Sequence, residues 1–227
     1  MNEETRARLL GLRQDNDAHA AFMAANSERF DRYRTRHEDG TAPRAVATFN
    51  LFQTPAPLAS RMVELAKIQP WQNVLEPSAG LGRILAPVMA CNPARVVACD
   101  ISPDCCREIM GGFPTVALVQ GDFLDEDTRA RCLAKIGQPA EDSEEEPHLF
   151  DRIVMNPPFK MRADLQHIEA ALELLAPGGR LVGLCLEGYK RRAFLETMGA
   201  DFIEEIPAGT FKGEGTNVPT LLFTFEI

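Results

Sequence analysis

Three carboxylates each follow a short apolar run: Glu76 after "NVL", Asp100 after "RVVAC" and Asp122 just beyond "VALVQ". Glu76 opens "EPSAGLG" (76–82), a Gly-x-Gly turn leading into a helical stretch. A carboxylate there repels pyrophosphate and suits a cationic ligand. Leu85 stands where a dinucleotide fingerprint keeps a small residue. Asp100 lies 24 residues after Glu76, the separation at which an acid grips ribose hydroxyls. In "QGDFLD", Asp122 offers an acceptor to an exocyclic amine, and Phe123 offers a ring to lie on a base. Upstream, "FQTP" (52–55) predicts Thr54 as an N-cap and Pro55 at the first helical position, where amides and a hydroxyl would receive a small carboxylate. Any one of these acids serves equally well as a helix cap or a solvated turn. Together they ask for a ligand with ribose, adenine, a cation and a carboxylate. S-adenosylmethionine has all four.

A fourth apolar run ends differently. "DRIVMNPPFK" (151–160) places two prolines directly after what reads as a buried strand. Proline cannot donate to a sheet ladder and forces its predecessor into an extended shape, so any strand terminus could use one. Asn156-Pro157-Pro158-Phe159 also makes a specific tool. An amino group conjugated to a ring or carbonyl is a poor nucleophile, because its lone pair is delocalised. Two acceptors aimed at its hydrogens, the Asn156 side-chain oxygen and the Pro157 carbonyl, would hold it and favour the pyramidal form. Pro158 fixes the second carbonyl before substrate arrives, and Phe159 supplies a stacking face.

The elements that must position these residues alternate. The apolar runs "NVLE", "RVVAC", "VALV", "FDRIVM" and "RLVGLCL" are separated by helical stretches. That order predicts βαβ units and a doubly wound parallel sheet, whose strand ends build the ligand crevice. After a helix at about 190–199, "DFIEEI" and "TLLFTFEI" are joined by "PAGTFKGEGTNVP", too short for a crossover helix. The last pair should therefore be an antiparallel hairpin, completing a Rossmann-like α/β domain of seven strands over residues 48–227. Residues 1–47 are expected as a helical extension with a weak apolar stripe (Leu9, Leu12, Phe22, Phe30, Tyr33).

The chain has 227 residues, 45% of them hydrophobic, enough for one substantial core. It shows neither an 18-residue apolar run nor a leader-like segment, so a cytoplasmic protein with no membrane partner is expected. The six cysteines form no CxxC pair and lie mostly in apolar segments, which reads as reduced core thiols. His19, His37, His148 and His167 have no metal-like spacing, and no metal is expected. The net charge of −9 argues against a nucleic-acid binder, but "EDSEEE" (141–146) alone carries five carboxylates and reads as a solvated loop. Basic residues gather elsewhere: Lys160 and Arg162, "KRR" at 190–192, and Lys212 in the Gly-rich hairpin loop.

At this point the sequence resembles the class I S-adenosylmethionine-dependent methyltransferases that act on planar amino groups. "EPSAGLG" is similar to the family's first cofactor motif, "ACD" to its second, "GDF" to its third and "NPPF" to its catalytic motif. "FQTP" is similar to the element that meets the methionine end of the cofactor. The resemblance covers residues 48–227. It implies cofactor contacts from Thr54, Glu76, Pro77, Gly80, Gly82, Asp100, Ile101, Asp122, Phe123 and Asn156, and catalysis by Asn156, Pro157, Pro158 and Phe159. Lys160, Arg191, Phe211 and Lys212 are the expected substrate contacts bordering the same mouth. The motif order and the C-terminal "FKGEGTNVPTLLFTFE" resemble small phage- or plasmid-borne DNA adenine N6-methyltransferases, with the target base flipped into the clamp. RNA bases and a protein glutamine stay open as substrates, and a catalytically silent nucleic-acid-binding subunit is the non-enzyme alternative. Many DNA-acting members carry a target-recognition domain, whereas this chain stops at its last strand. Specificity is then expected from the N-terminal helix, loops, a partner subunit or a second copy, or else to be low.

Overall fold

A computed structural model of the chain describes residues 53–139, 146–212 and 218–227. The expected N-terminal helix, nearly all of the acidic run and the glycines at 213 and 215 lie outside the described residues. Strands and helices alternate as the apolar runs require: α1 (Ala56–Ala66), β1 (Asn73–Glu76), α2 (Leu85–Ala90), β2 (Arg95–Asp100), α3 (Pro103–Gly112), β3 (Ala117–Gln120) and α4 (Glu126–Ala134). Next come β4 (Phe150–Met155), a single 3-10 turn (Lys160–Arg162), α5 (Ala163–Leu172), β5 (Leu175–Leu186), α6 (Tyr189–Thr197), β6 (Phe202–Ile206) and β7 (Thr220–Glu226).

The strands form one seven-stranded sheet, in the order β3-β2-β1-β4-β5-β7-β6. All pairs from β3 to β5 are parallel, and β7 is antiparallel to both β5 and β6. The expected C-terminal hairpin is therefore present, with β7 inserted between β5 and β6. Because β6 opposes β7 and β7 opposes β5, β6 runs in the same direction as the first five strands.

Burial on both faces explains the near-continuous apolar runs. Val74, Val96, Ala98, Val154, Val182, Leu184 and Leu222 point to one face and pack with α1, α2 and α3 through Met62, Leu85, Val88 and Ile109. Their neighbours Leu75, Val97, Cys99, Ile153, Met155, Leu181 and Phe223 point to the other, where α4, α5 and α6 contribute Cys132, Ile168, Ala171 and Leu195. Period-two alternation thus feeds two cores from one sheet. All six cysteines are free thiols, and five of them are buried. Among the described residues no helix is long and apolar enough to cross a membrane.

β5 starts earlier than "RLVGLCL" predicts, because Leu175 pairs with Phe150 before a register shift between Phe150 and Arg152 restores regular pairing. This bulge absorbs the Pro-Gly-Gly segment, which would otherwise break a central strand. Phe223 is fully buried on β7, with its ring 5.7 Å from that of Phe225 in an edge-to-face arrangement. Phe223→Ala should cost about 3–5 kcal/mol, read in urea as a lower midpoint with an unchanged slope.

Candidate functional site

The strand order reverses between β1 and β4, which pair directly through Leu75 and Ile153. Their continuing chains leave in opposite directions, so a crevice opens beyond their carboxyl ends. Glu76 is the last residue of β1, and Asn156 follows the last residue of β4. The topology therefore brings together two residues 80 positions apart in sequence.

The loop after β1 is stitched to the end of β2. Ala79 N–H donates to the Cys99 carbonyl at 3.0 Å, and Gly80 N–H to Asp100 Oδ2 at 2.7 Å. Asp100 Oδ1 accepts from Ser102 N–H at 2.8 Å, and the Asp100 carbonyl from Gly121 N–H at 3.0 Å. Gly80 and Gly82 both have positive φ, at 55° and 77°. A Cβ on Gly82 would also stand 2.5 Å from a Phe113 ring carbon, so no larger residue fits there. Asp122 follows β3 and turns its carboxylate onto Leu124 N–H at 2.9 Å, closing a local Asx turn.

Glu76 is the anomaly of this crevice. It is 1% exposed, and its Oε2 has no hydrogen-bond partner among the described residues. Burial, reinforced by the nearby Asp100 carboxylate, holds its pKa well above the usual 4.5. Asp100 is likewise pushed up by burial, against the opposing pull of its two backbone hydrogen bonds. A buried acid with an unsatisfied oxygen beside a half-buried one suits a cationic group with hydrogens to donate.

The clamp residues show a contact that no sequence pattern disclosed. Thr54 is buried but is not the N-cap: helix α1 begins after Pro55, which takes that position without any side-chain cap. The Thr54 hydroxyl instead accepts from Asn156 Nδ2 at 3.1 Å, across 102 residues of sequence. That bond fixes the amide rotamer and makes Oδ1 the acceptor end of the side chain. Pro157 is buried and Pro158 exposed. Phe159 is 5% exposed and packs in the core beneath α1, so this conformation offers a substrate little of its face. Just beyond it, Met161 and Arg162 both adopt left-handed backbone, at φ 51° and 64°. Two adjacent non-glycine residues there hold about 1–2 kcal/mol each.

Several expected contacts lie elsewhere. Phe123 is a core ring, 5.9 Å from the buried His167 ring at 30°, and is not open to a base. Phe211 is 0% exposed, so it cannot serve as a stacking ring on the surface of the hairpin loop. Arg191 does not line the mouth either. Its Nε lies 2.5 Å from Asp164 Oδ2 and its guanidinium 3.3 Å from Oδ1, and the same carboxylate also accepts from Leu186 N–H at 3.3 Å. Asp164 is fully buried, so that guanidinium is committed to it. Its neighbour Arg192 pairs with Glu205. Lys160, Lys212 and Ile101 remain exposed at strand-end positions, and Pro77 is buried behind Glu76. The pairing of Arg191 was signalled only by an acid, Asp164, at the start of the helix that follows "NPPF". Among the described residues no group of His, Cys, Asp and Glu is placed to hold a metal.

No model of a known protein family matches the chain, and no curated protein matches it. Solved structures do. The chain is similar to a modification subunit of a putative type I restriction enzyme from Vibrio vulnificus, with TM-score 0.60 and 15% identity over 90% of this chain and 49% of that one. A putative RNA methyltransferase from Pyrococcus horikoshii is similar at TM-score 0.59 and 15% identity, covering 78% of this chain and 86% of that one. TrmN from Thermus thermophilus is similar at TM-score 0.56 and 22% identity, covering 79% and 51%. The chain spans about half the length of the first and third of these. At such identities the likeness establishes the fold.

The buried acid makes a pH-dependent prediction. With its folded-state pKa raised, the Glu76 carboxyl favours folding fully below the unfolded value of 4.5, and that contribution is lost as pH rises through the folded value. Glu76→Gln keeps the shape and removes the titration. The ligand-free variant should therefore outlast the wild type in thermal melts at neutral pH, by on the order of 1 kcal/mol, with the gap closing in acid. A difference independent of pH would mean that Glu76 is ionised and compensated.

Proposed function

We propose that the protein transfers a methyl group from S-adenosylmethionine to the exocyclic amino group of adenine in DNA, with the base turned out of the stack into the crevice. The observation that carries this is the Thr54–Asn156 hydrogen bond, which orients the Asn156 amide at the same strand ends that hold the buried Glu76 with its unsatisfied oxygen. A bound S-adenosylmethionine would supply an electrophilic methyl on a sulfonium, along with the amine, ribose and adenine that the strand ends suit. The chain's own residues do the rest. Glu76 accepts from the cofactor's ammonium, whose positive charge favours the carboxylate form. Asp100 keeps lone pairs beyond those taken by Gly80 and Ser102, and directs them to ribose hydroxyls. Asp122 accepts from the adenine amine. Ile101, exposed after Asp100, covers the adenine edge, and the glycines at 80 and 82 let backbone approach the methionine end.

At the target, Asn156 Oδ1 and the Pro157 carbonyl take the two amine hydrogens. The nitrogen lone pair is thereby freed from conjugation and aimed in line with the methyl group. This is positioning catalysis: nothing in it needs a nucleophilic side chain.

DNA is favoured by the motif arrangement, "FQTP" before the cofactor motifs and "NPPF" after them, which resembles the DNA adenine enzymes. RNA is the second reading, because the fold also matches a putative RNA methyltransferase across most of that chain.

Two variants separate chemistry from binding. Asn156→Ala should keep cofactor affinity within roughly tenfold, about 1.4 kcal/mol, while lowering methyl transfer by on the order of 100-fold or more. Thr54→Val leaves the amide in place but unoriented and should lower the same rate by about tenfold, the worth of one neutral hydrogen bond. Transfer of labelled methyl onto duplex DNA, single-stranded DNA, RNA and protein, run in parallel, reads both effects and the substrate. Near-normal turnover in Asn156→Ala would reduce "NPPF" to a strand terminus. Gly80→Asp should abolish cofactor binding in calorimetry while the protein stays folded, since a side chain enters where backbone must meet ligand.

A further inference from the structure

Three of the large hydrophobic residues exposed among the described residues lie just past the carboxyl ends of parallel strands: Ile101 after β2, Met161 after β4 and Tyr189 after β5. Scattered apolar residues on a surface need no explanation, but a group on the one face that carries the clamp does. Tyr189 is 86% exposed and Met161 69%. Strands β4 and β5 are adjacent and in register, Met155 opposite Gly183, so the segments leaving them start side by side. The buried Asp164–Arg191 bridge then ties those segments together, three residues after Met161 and two after Tyr189. The two exposed side chains therefore flank one rigid joint next to Asn156-Pro157-Pro158-Phe159. Lys160 and Arg162 stand on either side of Met161; both are exposed, and neither side chain makes an ion pair among the described residues.

We infer that Tyr189 and Met161 form a stacking platform for the base next to the target nucleotide, with Lys160 and Arg162 meeting the flanking phosphates. This inference rests on the nucleic-acid reading of the clamp and narrows it. A flat aromatic and a soft thioether bind the π-face of any base, and interleaved cations bind the backbone. The combination takes an unstacked strand, because a paired and stacked base shows no face to Tyr189. The substrate thus reaches the clamp as a single-stranded or extrahelical segment. The platform does for the neighbouring base what buried Phe159, Phe123 and Phe211 are not placed to do. Arg191, also expected at the mouth, is committed to Asp164, and Lys160 and Arg162 serve in this role.

The test uses the full chain and a fluorescein-labelled single-stranded oligonucleotide, as DNA and as RNA, with 2-aminopurine next to an adenine. Tyr189→Ala should weaken binding on the order of tenfold, the loss of one base–aromatic stack, and should abolish the quenching of 2-aminopurine. Tyr189→Phe keeps the ring and should bind within about twofold of wild type. Calorimetric affinity for S-adenosylmethionine should be the same in all three proteins. Wild-type binding and quenching by Tyr189→Ala would overturn the platform while leaving the proposed reaction standing. So would an equal loss in Tyr189→Phe, which would assign the effect to the hydroxyl. If the wild-type chain binds the cofactor but neither oligonucleotide, the nucleic-acid reading falls, and the platform with it.

Discussion

A parallel sheet has to turn somewhere, and the place of that turn governs the layout of this molecule. Right-handed crossovers carry the chain outward from β1 to β3 on one side and from β4 to β5 on the other. Among the described residues the chains leaving β1 and β4 run to opposite sides, which opens a crevice between their carboxyl ends. Glu76 and Asn156 stand at that opening because they end those two strands. Asp100 joins them from β2 through the loop that its own carboxylate holds in place. The sheet therefore sets the spacing of the polar groups, and the sequence only has to supply the right residue types at its strand ends.

The same opening carries an electrostatic load. Glu76 is buried and Asp100 half-buried nearby, and burial drives both pKa values upward. A fold selected for stability alone would replace Glu76 by an apolar residue. An acid with an unsatisfied oxygen there is stability given up locally. The opposite case is Asp164, fully buried and satisfied by Arg191 and Leu186 N–H. One carboxylate keeps an oxygen with no partner among the described residues, and the other is closed to lock two loops. Their environments differ, although the residue types barely do.

That distinction explains how far the sequence could be read. Alternating apolar runs and helical stretches disclosed the parallel sheet, because burial on both faces leaves no other solution for "RVVAC" or "RLVGLCL". The antiparallel hairpin was implied by a connection too short for a helix. Its place was not legible: a hairpin fixes the direction of β7 relative to β6, but not which of the two meets β5. Residue types at strand ends pointed to the crevice. They could not tell which aromatic faces solvent, and Phe123 and Phe211 proved to be core while Tyr189, unremarked in sequence, stands exposed. Within "KRR", the helical period carries Arg191 inward to Asp164 and Arg192 toward Glu205. A run of like charges read as one patch hides that divergence. Thr54 fits the N-cap pattern, yet its hydroxyl goes to Asn156, a tertiary contact that local propensity does not encode.

The position of β7 bears on how the molecule is made. β5 and β6 do not pair with each other; each pairs with β7, the last strand of the chain. While the chain is being synthesised from its N-terminus at about 5–20 residues per second, β1 to β5 can assemble as soon as they emerge. The edge of β5 then stays unpaired until residues 220–226 are available. The completed sheet depends on contacts that arrive late and span the hairpin connection. A ribosome stalled before β7 would hold an open hydrophobic edge, the kind of surface that chaperones and aggregation compete for.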